Sequence, residues 1–103
     1  MKKILEELNQ ILFDDVEMKK DASELPEEYR VKTGYNHMGW VHVVYKFPNG
    51  YGASIVGYGD KWEMAVLDVN NDITYKTNIA DGVIRGDSEL MQRLIGEIKS
   101  ISV

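Results

Sequence analysis

Residues 45–59, YKFPNGYGASIVGYG, decide how the chain is interpreted, because they place four glycines and four aromatic rings in one short stretch. A Walker-type phosphate loop needs a lysine and a hydroxyl that open a helix, whereas this run leads into the strand-forming sequence KWEMAVLDV. A dinucleotide-binding fingerprint would need a third glycine and a following helix. The stretch instead predicts a β-hairpin that turns at Gly50 and uses Gly52 for a bulge or a close backbone approach.

The segments on both sides of this turn alternate with a period of two, which is typical of half-buried strands. They are rich in β-branched and aromatic residues and are separated by turn-forming residues. In chain order they are GWVHVVYKF (39–47), YGASIVGY (51–58), WEMAVLDV (62–69) and ITYKT (73–77). The pattern predicts a four-stranded antiparallel β-meander.

Both ends of the chain change to helical spacing. Apolar residues at positions 1, 4, 5, 8, 11 and 12 predict an amphipathic helix over residues 2–13. Near the other end, Asp87 or Ser88 is the expected N-cap of a second helix. Its apolar stripe comprises Leu90, Met91, Leu94, Ile95, Ile98 and Ile101. Gly96, within this helix, predicts close packing against a neighbouring element.

The predicted fold is therefore α+β, with an N-terminal helix, a four-stranded antiparallel β-meander and a C-terminal helix packed on the sheet. We expect a single domain over residues 1–103. Within it, residues 1–30 form an acidic helical segment, and residues 31–103 form the β-meander with the C-terminal helix.

The net charge of −5 is concentrated near the N-terminus. Residues 6–28 hold nine acids against two lysines, whereas the rest of the chain is close to neutral. Such a surface repels nucleic acid and attracts basic protein surfaces, unless it serves only to keep the chain soluble. The sequence thus predicts a basic protein partner and no direct binding of nucleic acid. The residues expected to bind it are Glu6, Glu7, Asp14, Asp15, Glu17 and the hairpin-tip rings Tyr51 and Tyr58.

No catalytic or metal-binding pattern stands out in the sequence. The absence of cysteine excludes disulfides, thiolate zinc sites and cysteine nucleophiles, and it fits a reducing compartment. His37 and His42 are the only histidines, and their spacing in an extended segment directs them to opposite faces. No run approaches the roughly 20 apolar residues of a membrane span. We therefore expect a protein that is not an enzyme, with no metal, no cofactor and no membrane association.

Four segments between about residues 41 and 101 resemble, in order, a group of small proteins common in bacteriophage genomes. They are VVYKFPNGYGASIV, KWEMAVLD, ITYKTNIADGVI and ELMQRLIGEIKSI. The chain departs from that group at Lys76, Asn78 and Gly82, where Asp, Pro and Asp are usual, and in its acidic segment at 1–30. Because the group has no settled activity, the resemblance implies no site residues. It implies a phage or prophage origin and action in the cytoplasm of the host bacterium.

These observations favour a non-enzymatic, phage-encoded binding protein that acts through its acidic surface. The expected target is a bacterial defence or nucleic-acid-handling protein, such as a CRISPR nuclease complex. Two alternatives stay open. One is a phage accessory or structural domain that self-associates, for example as a homodimer, through the sheet or the N-terminal helix. The other is a binder of a small molecule such as a nucleotide signal, with Trp40, Tyr58 or Trp62 stacked on the base.

Overall fold

The computed structural model describes residues 22–80 and 82–102. These residues form one antiparallel sheet and a C-terminal helix, so the prediction of an α+β fold is confirmed. The elements are a 3₁₀ helix at Ala22–Glu24, β1 at Arg30–Tyr35, β2 at Val41–Lys46, β3 at Gly52–Tyr58, β4 at Lys61–Leu67, β5 at Ile84–Gly86 and helix α1 at Ser88–Lys99. The predicted N-terminal helix at 2–13 lies outside the described residues.

The five strands lie in the sheet in chain order, and each is antiparallel to its neighbour. The hairpin predicted from residues 45–59 is confirmed, since β2 and β3 pair along their whole length. Gly50 has φ +94° in the connecting turn, and a Cβ on Gly52 would collide with the carbonyl oxygen of Tyr45. Both positions therefore need glycine, the first for its dihedral angle and the second for space.

The predicted fourth strand, ITYKT at 73–77, is wrong. Its one ladder contact with the sheet is an isolated bridge between Leu67 and Ile73. The segment alternates as a strand would, but Ile73 and Tyr75 remain 56% and 48% exposed. Because its apolar side chains find no buried surface, the alternation does not extend the meander.

The sequence pattern does not predict β1 or β5, which bring the sheet to five strands. β1 pairs with β2 although most of its side chains are exposed. β5 has three residues and pairs with β4 from Trp62↔Gly86 to Met64↔Ile84. Both are edge strands, each paired with one neighbour. β1 buries none of its residues, and β5 packs only Ile84 against the core, so neither gives a periodic signal in the sequence.

The hydrophobic core lies between one face of the sheet and α1. The sheet contributes Val41, Val43, Tyr45, Ala53, Ile55, Trp62, Met64 and Val66. The helix covers them with Met91, Leu94, Ile95 and Ile98, all from the predicted apolar stripe. Asp87 is the N-cap, and its carboxylate accepts a hydrogen bond from the Leu90 N–H at 2.9 Å. The predicted packing of the C-terminal helix on the sheet is confirmed.

Arg30, at the start of β1, attaches the 3₁₀ helix to the sheet. Its guanidinium donates hydrogen bonds to the carbonyl oxygens of Ala22, Leu25 and Pro26 at 3.1, 2.9 and 3.0 Å. The Tyr45 hydroxyl also donates to the Pro26 carbonyl. Leu25 is thereby held in the core, where it is 3% exposed.

Asn49, in the turn between β2 and β3, caps the far end of α1. Its side-chain amide donates to the carbonyls of Ile98, Lys99 and Ile101 at 2.9, 3.2 and 3.0 Å. These carbonyls lie at and beyond the last helical turn, where intrahelical donors run out, although Ile98 also accepts the Ile101 N–H at 3.1 Å. Gly96 in the same helix faces open space where a Cβ would point, so the prediction that it packs closely against a neighbour is wrong.

Candidate binding face

The sheet has a second face, opposite α1, which we call the open face. Because side chains alternate along a strand, this face carries the residues that alternate with those facing α1. They are His42, Val44, Lys46, Ser54, Val56, Tyr58, Glu63, Ala65 and Leu67. Most of them are half-buried, and Ala65 and Leu67 are buried. Both described helices pack against the core on the other side. Within residues 22–80 and 82–102, therefore, no helix covers the open face.

One end of the open face forms an open groove of about 610 Å³. Four of its lining residues are aliphatic, two are lysines and two are small and polar. They are Val31, Lys32, Val44, Lys46, Ser54, Leu67, Asn71 and Ile73. The groove therefore combines an apolar surface with positive charge.

Cross-strand pairing explains where the groove lies. Lys46, Gly52 and Leu67 are consecutive partners across β2, β3 and β4, and Ile73 extends this row through its bridge to Leu67. Residues opposite each other in antiparallel strands share a face of the sheet. Because Gly52 has no side chain, the surface of the sheet dips between Lys46 and Leu67. This dip forms the groove, and aliphatic side chains lie beside it.

The positive charge of the groove is not neutralised by its lining, which contains no carboxylate. Lys46 Nζ donates to the Val69 carbonyl at 3.2 Å and to Asn71 Oδ1 at 3.0 Å. Both acceptors are neutral, so these hydrogen bonds hold the ammonium in place without cancelling its charge. Lys32 adds a second cation on the neighbouring strand.

His42 and Ser54 form a hydrogen-bonded pair at the inner end of the groove, with His42 Nε2 2.9 Å from Ser54 Oγ. Burial, and after it the charge of Lys32, lowers the pKa of His42 below its ordinary value. The imidazole is therefore neutral near pH 7. A serine beside a neutral histidine is the start of a nucleophilic site, but a third group that orients the imidazole is part of that chemistry.

The nearest carboxylate in the same cross-strand row is engaged elsewhere. Glu63 accepts hydrogen bonds from Arg85 Nε at 2.7 Å and from the Tyr58 hydroxyl at 2.9 Å. These hydrogen bonds lower the pKa of the Glu63 carboxyl, Arg85 contributing most. The Tyr58 ring also stacks on Trp40, with centroids 4.3 Å apart. At this end of the open face, Tyr58, Glu63 and Arg85 therefore satisfy one another's hydrogen bonds.

The predicted site residues fall in different places. Tyr58 belongs to the cluster just described, and Tyr51 is partly buried against the core. Both positions stay predictions as partner contacts. Trp62, which the nucleotide-binding alternative would stack on a base, is fully buried and donates its indole N–H to Glu24 at 3.0 Å. That role for Trp62 is wrong. His37 is exposed in the loop between β1 and β2.

The acidic residues Glu6, Glu7, Asp14, Asp15 and Glu17 lie outside the described residues. Two later acids of the same segment already have partners in the fold. Glu24 accepts the Trp62 indole, and Glu28 lies 3.8 Å from Lys99. These two carboxylates therefore make contacts within the protein itself.

The described part of the chain contains no group of three or more side chains arranged to hold a metal ion. None of its helices is long and apolar enough to cross a bilayer. No family model matches the chain, and no match was found among curated proteins or solved structures. The similarity to phage proteins thus stays a prediction from the quoted motifs.

The groove residues escaped sequence reasoning for an identifiable reason. The alternation of β2 already separates His42, Val44 and Lys46 from the core residues. The sequence pattern does not predict β1. This strand pairs with β2 and so brings Val31 and Lys32 beside Val44. A strand without an apolar face gives no periodic signal.

Proposed function

We propose that the protein is a non-enzymatic binding protein that holds a partner protein on the open face of its sheet. One observation carries the proposal: the groove exposes aliphatic side chains around two lysines that no carboxylate of its lining neutralises. Val31 and Ile73, on opposite sides of the groove, are 63% and 56% exposed. Exposed apolar surface bordered by polar groups is typical of binding sites.

Binding is better supported than catalysis. The His42–Ser54 pair supplies a nucleophile and a base, but the described residues bring no carboxylate to the imidazole, since Glu63 is held by Arg85 and Tyr58. Nucleophilic activation of serine depends on such an orienting group, and a stabiliser of the oxyanion is needed as well. The pair serves better as a polar contact for a bound chain.

The setting of this function rests on the resemblance of residues 41–101 to small phage proteins. It supports a partner in the cytoplasm of a bacterial host, and we infer a defence or nucleic-acid-handling protein whose activity is blocked on binding. In this proposal, the open face provides the contact that involves the described residues.

The acidic residues of the N-terminal segment support a second contact with the same partner. The charge of residues 6–28 would attract a basic surface and speed encounter with it. Replacing Glu6, Glu7, Asp14, Asp15 and Glu17 by their amides tests this contact separately. Loss of salt-sensitive binding would support it, and unchanged inhibition and salt dependence would show that these acids only solubilise the chain.

Affinity capture from a bacterial lysate with two matched variants tests the proposed function. Val44→Glu places a carboxylate between the two lysines of the groove, and Ser102→Glu adds the same charge at an exposed position beyond α1. We expect Val44→Glu to lose the proteins that wild type and Ser102→Glu retain, while thermal unfolding confirms that all three fold. Equal retention by both variants would contradict binding through the open face.

Light scattering on the purified chain addresses the self-associating alternative. If the open face binds a different protein, the chain alone should not form a dimer that Val44→Glu disrupts. A dimer that Val44→Glu dissociates and Ser102→Glu does not would assign the groove to self-association.

A further inference from the structure

The chemistry of the groove identifies what its occupant must carry, on the basis of the proposed function. Its aliphatic side chains, among them the exposed Val31 and Ile73, present a surface that a partner's apolar side chain would remove from water. The described groove contains no aromatic ring, and the nearby rings of Trp40 and Tyr58 stack on each other. Nucleobases therefore find no stacking platform here.

The two lysines of the groove require negative charge. Arg85, Arg93 and Lys99 each lie near a carboxylate of the described residues, whereas Lys46 contacts only neutral oxygens. Two hydrogen bonds already restrict the rotamers of Lys46. An anion that binds it therefore loses less free energy to the ordering of this side chain. The groove is thus complementary in charge to a carboxylate-bearing partner.

The spacing of the lysines indicates how the carboxylates are arranged. Lys32 pairs with Val44, and Lys46 follows Val44 by two positions on the same strand, so the two lysines are diagonal neighbours. Diagonal neighbours lie about 7–8 Å apart, with their Cβ atoms somewhat closer. Side chains two residues apart on an extended peptide are separated by about 6.6–6.8 Å and point the same way. The spacings match where the two lysine side chains leave the sheet, and the Lys46 side chain extends from there toward Val69 and Asn71.

We propose that the groove binds an extended segment of a partner protein that carries two carboxylates two residues apart and an aliphatic side chain two residues beyond one of them. These three side chains share one side of the extended segment. The carboxylates lie on Lys32 and Lys46, and the aliphatic group packs against Leu67 and Ile73. Ser54, hydrogen-bonded to His42 at 2.9 Å, offers its hydroxyl to the backbone of the segment.

The test uses a synthetic peptide, Gly-Leu-Ala-Asp-Ala-Asp-Gly with blocked ends, in which the Leu and both Asp side chains lie on one side of an extended chain. It is titrated into isotope-labelled protein and followed by NMR, and we expect the amide shifts to centre on residues 32, 44, 54 and 67. A peptide of the same composition with adjacent aspartates, Gly-Leu-Ala-Asp-Asp-Ala-Gly, should bind more weakly, because consecutive side chains of an extended chain point to opposite sides.

Three protein variants locate the charge contacts. Lys32→Gln and Lys46→Gln should each weaken the peptide about two- to fivefold, which corresponds to the range of exposed ion pairs. Lys61→Gln, at the exposed start of β4, is the matched control and should change affinity less than about twofold. Lys32→Gln and Lys61→Gln remove exposed cations and should keep wild-type stability. Lys46→Gln also loses two hydrogen bonds, so thermal unfolding is measured to confirm that it folds.

Several results would overturn the proposal. These are no peptide binding, equal binding of the two peptides, equal binding by the lysine variants, or the same shifts with free acetate. Displacement of the peptide by an oligothymidylate with the same dependence on Lys32 and Lys46 would assign the groove to nucleic acid instead. If the peptide fails while a captured protein is still lost on Val44→Glu, the partner chemistry is wrong and the proposed function stands.

Discussion

The two faces of the sheet are built by the same strands, yet they carry out different tasks. On the covered face, Val43, Ile55 and Met64 are at most 1% exposed and pack under α1. On the open face, their neighbours in sequence, Val44 and Val56, remain half-buried. Because the side-chain period of a strand is two, a shift of one residue would exchange the faces. The covered face fixes the register, which leaves the open face free to carry polar and charged groups.

The open face is itself divided. At one end, Arg85, Tyr58 and Glu63 satisfy one another's hydrogen bonds and charges. At the other end, Lys32 and Lys46 face an apolar groove without a carboxylate. An unneutralised pair of cations beside exposed aliphatic groups contributes little to folding, which is why we assign the function to this end.

The largest expected effect separates the faces directly, through two adjacent residues of β3. Ile55→Ala removes a fully buried side chain and should cost about 2–5 kcal/mol in the free energy of unfolding. Val56→Ala, on the open face, should cost about 1 kcal/mol or less, because less surface is buried there. Urea unfolding followed by tryptophan fluorescence measures both. Equal costs would mean that the open face is packed like a core.

The second prediction compares two glycines of the sheet. In Gly52→Ala the new methyl group meets the Tyr45 carbonyl oxygen, so backbone must move, and we expect a loss of about 1–3 kcal/mol. Gly34 has open space where a Cβ would point, and Gly34→Ala should be close to neutral. Unfolding in urea gives both values. A tolerated Gly52→Ala would contradict the close approach of β2 and β3.

A third, smaller effect concerns the attachment of α1. Asn49→Ala removes the donor that serves three carbonyls at the end of the helix, and we expect a loss of about 1–2 kcal/mol. Asn70→Ala is the control, since Asn70 lies exposed in a turn where its backbone N–H makes the hydrogen bond to Asp68. Thermal unfolding of both variants checks this, and equal melting temperatures would argue against the cap.

The smallest expected effect is a pH dependence at His42. Its pKa in the folded protein is lower than the ordinary value of 6.5, so the unfolded chain binds more protons in the interval between the two values. The contribution of His42 to stability is therefore present above pH 6.5 and is lost as the pH falls through the folded pKa.

Comparing wild type with His42→Gln isolates this term from the carboxylates, which titrate in both proteins. Wild type should lose slightly more stability than the variant between about pH 7.5 and about pH 5.5. Direct NMR titration of the imidazole supplies an independent check. A pKa at or above 6.5 would contradict the conclusion that burial lowers the pKa of His42.

The central strands and the C-terminal helix could be predicted because their residues repeat with a clear period. Val41, Val43 and Tyr45 alternate with polar neighbours, and Leu94, Ile95 and Ile98 lie on one side of a helix. The turn at Gly50 has its own local chemistry. ITYKT shows the limit, because its alternation is that of a strand although its side chains do not reach the core.

The rest depends on contacts between residues distant in the chain. β1 has no apolar face, and it becomes a strand through pairing with β2. The groove exists because that pairing brings Lys32 beside Val44, which no local pattern indicates. Counting charges along the chain likewise could not show that Glu24 and Glu28 have partners in the fold.

The most direct test of the central claim, that the groove end of the open face holds the partner, uses the absence of cysteine from the chain. Val31→Cys and Arg93→Cys place a single thiol in the groove and on the outer side of α1, where the native side chains are 63% and 65% exposed. Each is labelled with a benzophenone and irradiated in bacterial lysate. We predict that one discrete adduct forms from position 31 and not from position 93. Adducts that form equally from both positions, or from 93 alone, would contradict the account.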